Sequence, residues 1–198
     1  MRDAARLAPD HWLGVVDPAW TADAAPPVWA VVGEWRSGPT GEVEEWQPNE
    51  EYRPSPRALG WAAPTDPVDA AVQSAVTGYG PPAAALRALA AAEVTVLRSA
   101  DGGPLAPAGA DGLPVVPVFS AAPHEVFAGG FAHDTVSVLA LARDLAASGT
   151  PICVNPAGPA RLVVTPDEVL AAAAPAGPPA GATSLITDHL NPGTGRTS

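Results

Sequence analysis

The aromatic residues divide this chain into two parts. All six tryptophans lie at or before Trp61, and all three phenylalanines lie at or after Phe119. Because large aromatic side chains dominate the cores that contain them, this separation predicts two structural units with different cores. We expect a tryptophan-rich hairpin and helix unit over residues 1–80 and a second unit over residues 81–174. Residues 175–198 are rich in Pro, Gly and Thr without sustained periodicity, which predicts a disordered tail.

Composition and charge limit the possible functions. The 198 residues are 47% hydrophobic, much of it alanine, and the 25 prolines and 19 glycines imply many loops. The formal net charge is -11, and the 10 basic residues are all arginine. A strongly negative surface opposes binding to nucleic-acid phosphates and to anionic membranes. We therefore expect neither nucleic acid nor a membrane as a partner.

The start of the chain and its single cysteine predict the cellular compartment. The opening "MRDAARLAPDHWLG" lacks the apolar region of a signal peptide. No apolar stretch approaches the roughly 20 residues that span a bilayer. Cys153, the only cysteine, leaves no disulfide framework and no cysteine-based zinc site. We expect a cytoplasmic protein.

The N-terminal unit carries a hairpin signal. Val28–Arg36 and Glu42–Gln47 read as strands, and the Gly and Pro residues of Ser37–Gly41 suit the loop between them. Pairing across this loop sets Trp35 near Val43, an aromatic and β-branched cross-strand pair.

Two helices have clear end signals. Asp66 can cap a helix whose first residue is Pro67, and Gly78 is placed to end it. Near the end of the second unit, Thr165 and Glu168 have the spacing of a capping box.

The second unit alternates helix and strand. The two prolines within Leu113–Ser120 favour an edge or irregular strand there. Together with the hairpin, these elements predict an α+β or α/β fold in which helices flank a mixed sheet. The other predicted elements are a helix after Pro81, strands at Glu93–Leu97, in "PICVNP" and at Arg161–Val164, a helix in "SVLALARDLAASG" and a helix in "TPDEVLAAAA".

Catalytic motifs are sparse. Cys153 lies within an apolar strand, so a buried structural thiol is favoured over a nucleophile. The segment "HEVFAGGFAHD" gathers His124, Glu125, His133 and Asp134. The two histidines do not share a helical face, and a solvated loop is favoured there over a metal site. We expect no cofactor and no metal, since the chain also has no Walker motif and no G-x-S-x-G motif.

The segment "EVEEWQPNEEY" surrounds aromatic residues with acids. One interpretation is a charged outer face of the hairpin with Trp46 packed inward. The other is an acidic, aromatic surface for a basic segment of a partner protein, because exposed Tyr, Trp and Arg residues recur at binding hot spots. The candidate partner-binding residues are Glu44, Glu45, Trp46, Glu50, Tyr52, Arg53 and Trp61.

Two family resemblances follow from these motifs. "VVGEWRSGPTGEVEEWQPNEEYRPSPRALGW" followed by "PTDPVDAAVQSAVTGYG" resembles the actinobacterial family called type VII secretion system-associated proteins. "VTVL", "GLPVVPVFS", "ICVNPAG" and "LVVTPDEVL" are similar to the SseB-like domain. The second resemblance implies helices against a mixed sheet, and neither brings catalytic residues.

The resemblances favour a non-enzymatic cytoplasmic accessory or adaptor protein that binds another protein of a type VII-like secretion system. An immunity protein or chaperone that masks an exported toxin or substrate is the alternative. A metal-dependent hydrolase built on His124, Glu125, His133 and Asp134 is a third hypothesis.

Overall fold

The computed structural model describes residues 2–21, 23–125 and 128–174. The predicted disordered tail lies outside the described residues. The described residues form five α-helices, a three-stranded sheet and a five-stranded sheet. The α+β fold predicted from the sequence is therefore confirmed.

The small sheet belongs to the tryptophan-rich part of the chain. Its strands are antiparallel, with β2 in the centre. A short helix of one turn, α1 (Arg2–Leu7), packs beside β2. The strands are β1 (Trp12–Val16), β2 (Val31–Ser37) and β3 (Val43–Pro48).

The pairing of β2 with β3 differs from the predicted one. Trp35 lies opposite Trp46, and Ser37, not Trp35, lies opposite Val43. The register shift between Arg36 and Ser37 inserts Glu44 into β3 and accounts for one of the three residues by which the partner of Trp35 differs. The other two arise because the hairpin loop lies one residue later in the chain than predicted. The predicted strand also begins too early, because Val28–Ala30 form a turn of 3-10 helix.

The large sheet is mixed and has the strand order β6-β4-β5-β7-β8. β5 and β7 are parallel, and the other neighbours are antiparallel. Its strands are β4 (Glu93–Leu97), β5 (Val116–Phe119), β6 (His133–Ser137), β7 (Ile152–Val154) and β8 (Leu162–Val164).

Two features of this sheet correct the sequence predictions. β5 is an interior strand, so an edge position is wrong; Pro117 is tolerated because β5 pairs with β4 only through Val118 and Phe119. The predicted solvated loop includes His133 and Asp134, yet these residues begin β6, which pairs along the whole of β4. The polar residues of His133–Ser137 suit this edge position, but they resemble a loop in the sequence.

Four helices cover one face of the large sheet and form the core with it. From each strand, alternate valine or isoleucine residues point to these helices and are buried, among them Val94, Val96, Val116, Val118 and Ile152. The helices are α2 (Pro67–Thr77), α3 (Pro82–Ala90), α4 (Val138–Leu145) and α5 (Pro166–Ala173).

The predicted helix ends are confirmed. The Asp66 carboxylate accepts from the amides of Val68 and Asp69, at 2.7 and 3.0 Å, and Gly78 ends α2 with a φ of 79°. Thr165 and Glu168 form the predicted capping box of α5. These ends are set by local hydrogen bonds, which is why the sequence predicts them well.

Helix α2 connects the two parts of the chain. It lies before residue 80, yet it packs against α3, and Val68 and Val72 are buried in the core of the large sheet. Trp61 packs against the same core. The domain boundary at residue 80 stays a prediction.

Gly33 leaves room for the Trp46 ring on the small sheet. A Cβ atom at this position would lie 2.5 Å from the Gln47 carbonyl oxygen and 2.5 Å from the Trp46 ring. We expect Gly33→Ala to lower the free energy of unfolding by about 1–2 kcal/mol, since the ring must move. Gly14→Ala in β1 is the matched control, because its Cβ would meet nothing within 4 Å. Urea unfolding followed by tryptophan fluorescence tests this, and equal stability of the two variants would contradict it.

Candidate functional site

Trp46 lies on one face of the small sheet. Its ring centroid is 4.7 Å from that of Trp35, with the ring planes tilted by 47°. Leu13 lies opposite Trp35 on the other side, so these three half-buried side chains cross the sheet in one row. Trp46 is thus both a packing residue and part of a partly open aromatic face.

The candidate acidic residues of β3, Glu44 and Glu45, do not lie beside the tryptophan pair. Glu45 is the residue before Trp46 and therefore points to the opposite face of the sheet. It faces Arg36, which also forms an ion pair with Asp10 at 3.6 Å. Glu44 is exposed at the register shift. These acids do not form one surface with the tryptophan pair.

Tyr52 points inward. Its hydroxyl donates to Asp17 Oδ2 at 2.7 Å, and Asp17 is buried. Burial, together with the hydrogen bond to Asp17 and its charge, raises the pKa of Tyr52 to about 12. Tyr52 therefore remains a protonated donor and fixes the chain after β3 to the end of β1.

The last two candidate residues also have structural contacts. The Arg53 amide donates to the Trp29 carbonyl at 2.9 Å, while the residue itself is exposed. Trp61 packs against the core of the large sheet. The seven candidate residues are thus distributed over several places, and their role in partner binding stays a prediction.

One of them, Glu50, lies in a groove at the open end of the hairpin. We call this groove, of about 640 Å³, the acidic groove. Its residues include Glu34 and Glu50, both exposed, and no basic residue. The lining residues are Pro26, Val28, Val31, Gly33, Glu34, Gln47, Pro48, Asn49 and Glu50.

The acidic groove is held in shape by Asn49. Its side-chain amide donates to the carbonyls of Val28 and Val31, at 2.7 and 2.8 Å. These bonds tie the end of β3 to the start of β2 and leave the Val28 side chain 56% exposed. The groove therefore presents exposed apolar side chains together with two carboxylates. Glu34 was not predicted, because only the pairing of the strands brings it near Glu50.

A polar cluster of three residues lies where the parallel strands β5 and β7 end. Ser120 Oγ donates to Asp66 Oδ2 at 2.7 Å and accepts from Asn155 Nδ2 at 2.8 Å. The Ser120 amide donates to Asn155 Oδ1 at 3.0 Å. We call Asp66, Ser120 and Asn155 the strand-end cluster. It joins the start of α2 to the ends of both strands.

The chemistry of the strand-end cluster fits a structural role better than a role as a general base. Burial alone would raise the pKa of Asp66, but hydrogen bonds from Ser120 and from the amides of Asp69 and Val68 outweigh it and lower that pKa. A carboxylate with a lowered pKa is a weak general base. Instead, each polar group of the cluster forms a hydrogen bond with another group that is partly or fully buried.

The four residues of the predicted acid and histidine cluster each contact a different partner. His124 Nε2 lies 3.4 Å from Asp69 Oδ2, and Glu125 accepts from Thr95 at 2.7 Å. Asp134 accepts from Arg98 at 2.8 Å. In the part of the chain that the structure describes, no three His, Cys, Asp or Glu side chains group so that they could hold a metal ion.

Asp69 and Gln73 interrupt the apolar side of α2. Both are buried, whereas Val76 is 47% exposed. The Gln73 side chain donates to Asp69 at 3.2 Å, so this side of the helix is filled by polar residues that bind one another. The small apolar residues of α2 recur at helical spacing, so the sequence pattern does not indicate that Asp69 and Gln73 are buried.

Cys153 has the predicted buried position. Its side chain lies in β7, and burial raises the pKa of its thiol. A thiol with a raised pKa is a poor nucleophile at neutral pH.

Among the described helices, none is long and apolar enough to cross a membrane.

The fold and these surfaces define an α+β protein with a helix-covered mixed sheet and an additional small sheet bearing an acidic groove. Residues 68–171 match the family model described as SseB protein N-terminal domain. This match covers more than half of the chain, and the chain belongs to the SseB family. No curated protein and no solved structure gave a significant match. The SseB-like resemblance is thereby confirmed, and the match includes α2.

Proposed function

We propose that this protein is a non-enzymatic accessory protein of a type VII-like secretion system that binds another protein in the cytoplasm. The observation that carries the proposal is the acidic groove, which lies outside the residues matched by the SseB model. The resemblance of residues 31–80 to type VII secretion system-associated proteins supports the cellular setting.

The acidic groove suits a segment that combines basic and apolar side chains. Glu34 and Glu50 supply two carboxylates, and no basic residue of the groove neutralises them. Val28 and Pro48 add exposed apolar surface to the same groove. Charge complementarity speeds encounter and selects partners, while apolar contact slows dissociation. The proposed partner therefore presents Lys or Arg beside apolar residues.

Binding is tested with purified proteins of the secretion locus. We expect one of them to bind the full chain, and Glu34→Gln combined with Glu50→Gln to weaken that binding about tenfold, mainly through slower association. Surface plasmon resonance at two salt concentrations measures this, because screening reduces the effect of exposed charges.

The matched control removes two carboxylates elsewhere. Asp144 on α4 and Asp167 on α5 are exposed, and Asp144→Asn combined with Asp167→Asn gives the same change in net charge. We expect the control to bind within twofold of the wild type. If no locus protein binds the wild type, the proposed function is wrong. If both double variants bind equally, the function stands and the acidic groove is the wrong site.

The net charge of -11 favours a second candidate function. An immunity protein or chaperone would use this charge to cover the basic surface of an exported toxin or substrate. Co-expression with a toxin encoded beside it would then restore growth of the host. Failure to protect, with intact binding to a secretion component, would leave the accessory role alone.

A further inference from the structure

Within the ranges of the chain that the structure describes, no helix lies on the second face of the large sheet. Leu97, Phe119 and Cys153 point to this face from β4, β5 and β7, because their neighbours in each strand point into the helix-covered core. The long connection from β4 to β5 crosses part of the face, and Leu105 packs on Leu97 and Phe119. Beside this contact lies a groove of about 800 Å³, which we call the sheet-face groove.

The sheet-face groove is largely apolar. Leu97, Phe119 and Cys153 are each at least 90% buried and form its floor. Leu113 and Val163, at its rim, are 63% and 56% exposed, so the groove opens to solvent. A volume of about 300–1,000 Å³ is usual for a small-molecule site. Exposed apolar side chains above an apolar floor leave apolar surface in contact with water, and an apolar ligand would cover that surface.

Among the described residues, Arg161 is the only basic one that lines the sheet-face groove. It is exposed, and within the described part of the chain it makes no ion pair. The groove has one acid, Asp111, whose carboxylate accepts from the Leu113 amide at 3.0 Å. Charges beyond about 8 Å are screened at physiological ionic strength. The local guanidinium, and not the distant negative charge of the chain, therefore decides which head group is favoured.

The walls of the groove offer few backbone donors to a peptide. Five of the lining residues are prolines, which have no amide hydrogen: Pro107, Pro114, Pro117, Pro151 and Pro156. The amides of Gly109, Val115 and Gly112 already donate to carbonyls of the same connection, at 2.7, 3.0 and 3.0 Å. A polypeptide needs a partner for each buried backbone group. An occupant with few polar groups fits this surface better.

We propose that the sheet-face groove binds a small amphiphilic anion whose apolar body lies against the exposed side chains of Leu113 and Val163 and whose carboxylate pairs with Arg161. This site is separate from the acidic groove and does not depend on the proposed function. The arginine fork suits a carboxylate through two parallel hydrogen bonds. The ligand class is that of a medium-chain fatty acid.

Decanoate and decanol test the proposal as a matched pair, since they differ in the head group alone. We expect full-length protein to bind decanoate at one saturable site in isothermal titration calorimetry. Arg161→Gln should weaken decanoate binding about tenfold and leave decanol binding unchanged. Leu113→Asp should weaken both, because it places a charge at the apolar rim. Val28→Asp, in the acidic groove, is the control and should change neither.

Several outcomes would overturn the proposal. It fails if decanoate binds only at concentrations at which it forms micelles, or if Val28→Asp reduces binding as much as Leu113→Asp does. It also fails if Arg161→Gln binds decanoate like the wild type, because the carboxylate then has another partner. If decanoate does not bind and Leu113→Asp converts a dimer to a monomer in sedimentation, the groove is a contact between two copies of this chain.

Discussion

Replacing Asn155 by alanine is expected to lower the free energy of unfolding by about 3 kcal/mol and the melting temperature by roughly 10 °C. Asn155 is fully buried and has a φ of 48°, a left-handed conformation that asparagine tolerates and alanine does not favour. Its side chain satisfies both the amide and the hydroxyl of Ser120. Alanine removes both bonds and adds backbone strain.

Asn155→Gly separates these two causes. Glycine also loses the side-chain bonds but adopts a positive φ without strain. We expect it to be more stable than the alanine variant by about 1 kcal/mol and less stable than the wild type. Thermal unfolding by circular dichroism measures all three proteins. Wild-type stability of the glycine variant would show that the strand-end cluster contributes nothing.

The elements that the sequence predicts well are those with local causes. Asp66 and Gly78 set the ends of α2, and Thr165 caps α5, through bonds within a few residues. β4 is correct because Glu93–Leu97 is a short, apolar run. Such signals depend little on the rest of the fold.

The errors come from contacts distant in the chain. The partner of Trp35 is Trp46 and not Val43, because the hairpin loop lies one residue later than predicted and a register shift near Ser37 adds a further residue. No residue type in that loop indicates either change. β6 became a strand because β4 offers it an edge, although its own residues are polar. Strand pairing is decided by the neighbour as much as by the strand itself.

In the candidate sites, too, the sequence indicates features with local causes and does not indicate contacts between distant residues. Glu50 was found because acids and aromatic residues are close together in the sequence, whereas Glu34 joins it only through the β2–β3 pairing. Asp66 and Ser120 are 54 residues apart, and Ser120 and Asn155 are 35 apart. The Asn-Pro and Phe-Ser motifs contribute to the resemblance to the SseB-like domain. The sequence does not indicate that Asn155 and Ser120 form hydrogen bonds with each other.

Aromatic contacts connect the tryptophan-rich part to the turn after α2. Trp29 lies between Trp20 and Tyr79, at centroid distances of 6.0 and 4.9 Å. Near them, Asp17 accepts from the amides of Ala19 and Ser55 and from the Tyr52 hydroxyl. These contacts hold Trp20 and Trp29 together near the start of β2, whereas Trp61 packs against the core of the large sheet.

Asp17→Asn is expected to lower the free energy of unfolding at pH 7 by about 3 kcal/mol. Both Asp17 carboxylate oxygens accept from donors, and its exposed fraction is only 1%. An amide offers one acceptor oxygen and turns its NH2 group toward a donor, which leaves buried groups unpaired. Tyr52→Phe removes a single donor and should lower the free energy of unfolding by about 1 kcal/mol. Urea unfolding measures both.

The pH dependence distinguishes the charge of Asp17 from its shape. Burial would raise its pKa, but hydrogen bonds from Ser55, Tyr52 and Ala19 outweigh burial and lower it from 3.8 to about 2. Because the folded pKa is the lower one, ionised Asp17 stabilises the fold above pH 4, by about 2 kcal/mol, and this is lost as the pH falls toward 2. The stability difference between wild type and Asp17→Asn should therefore shrink by about 1 kcal/mol between pH 6 and pH 3. A difference that stays constant over this range would mean that the fold requires the shape of the side chain and not its charge.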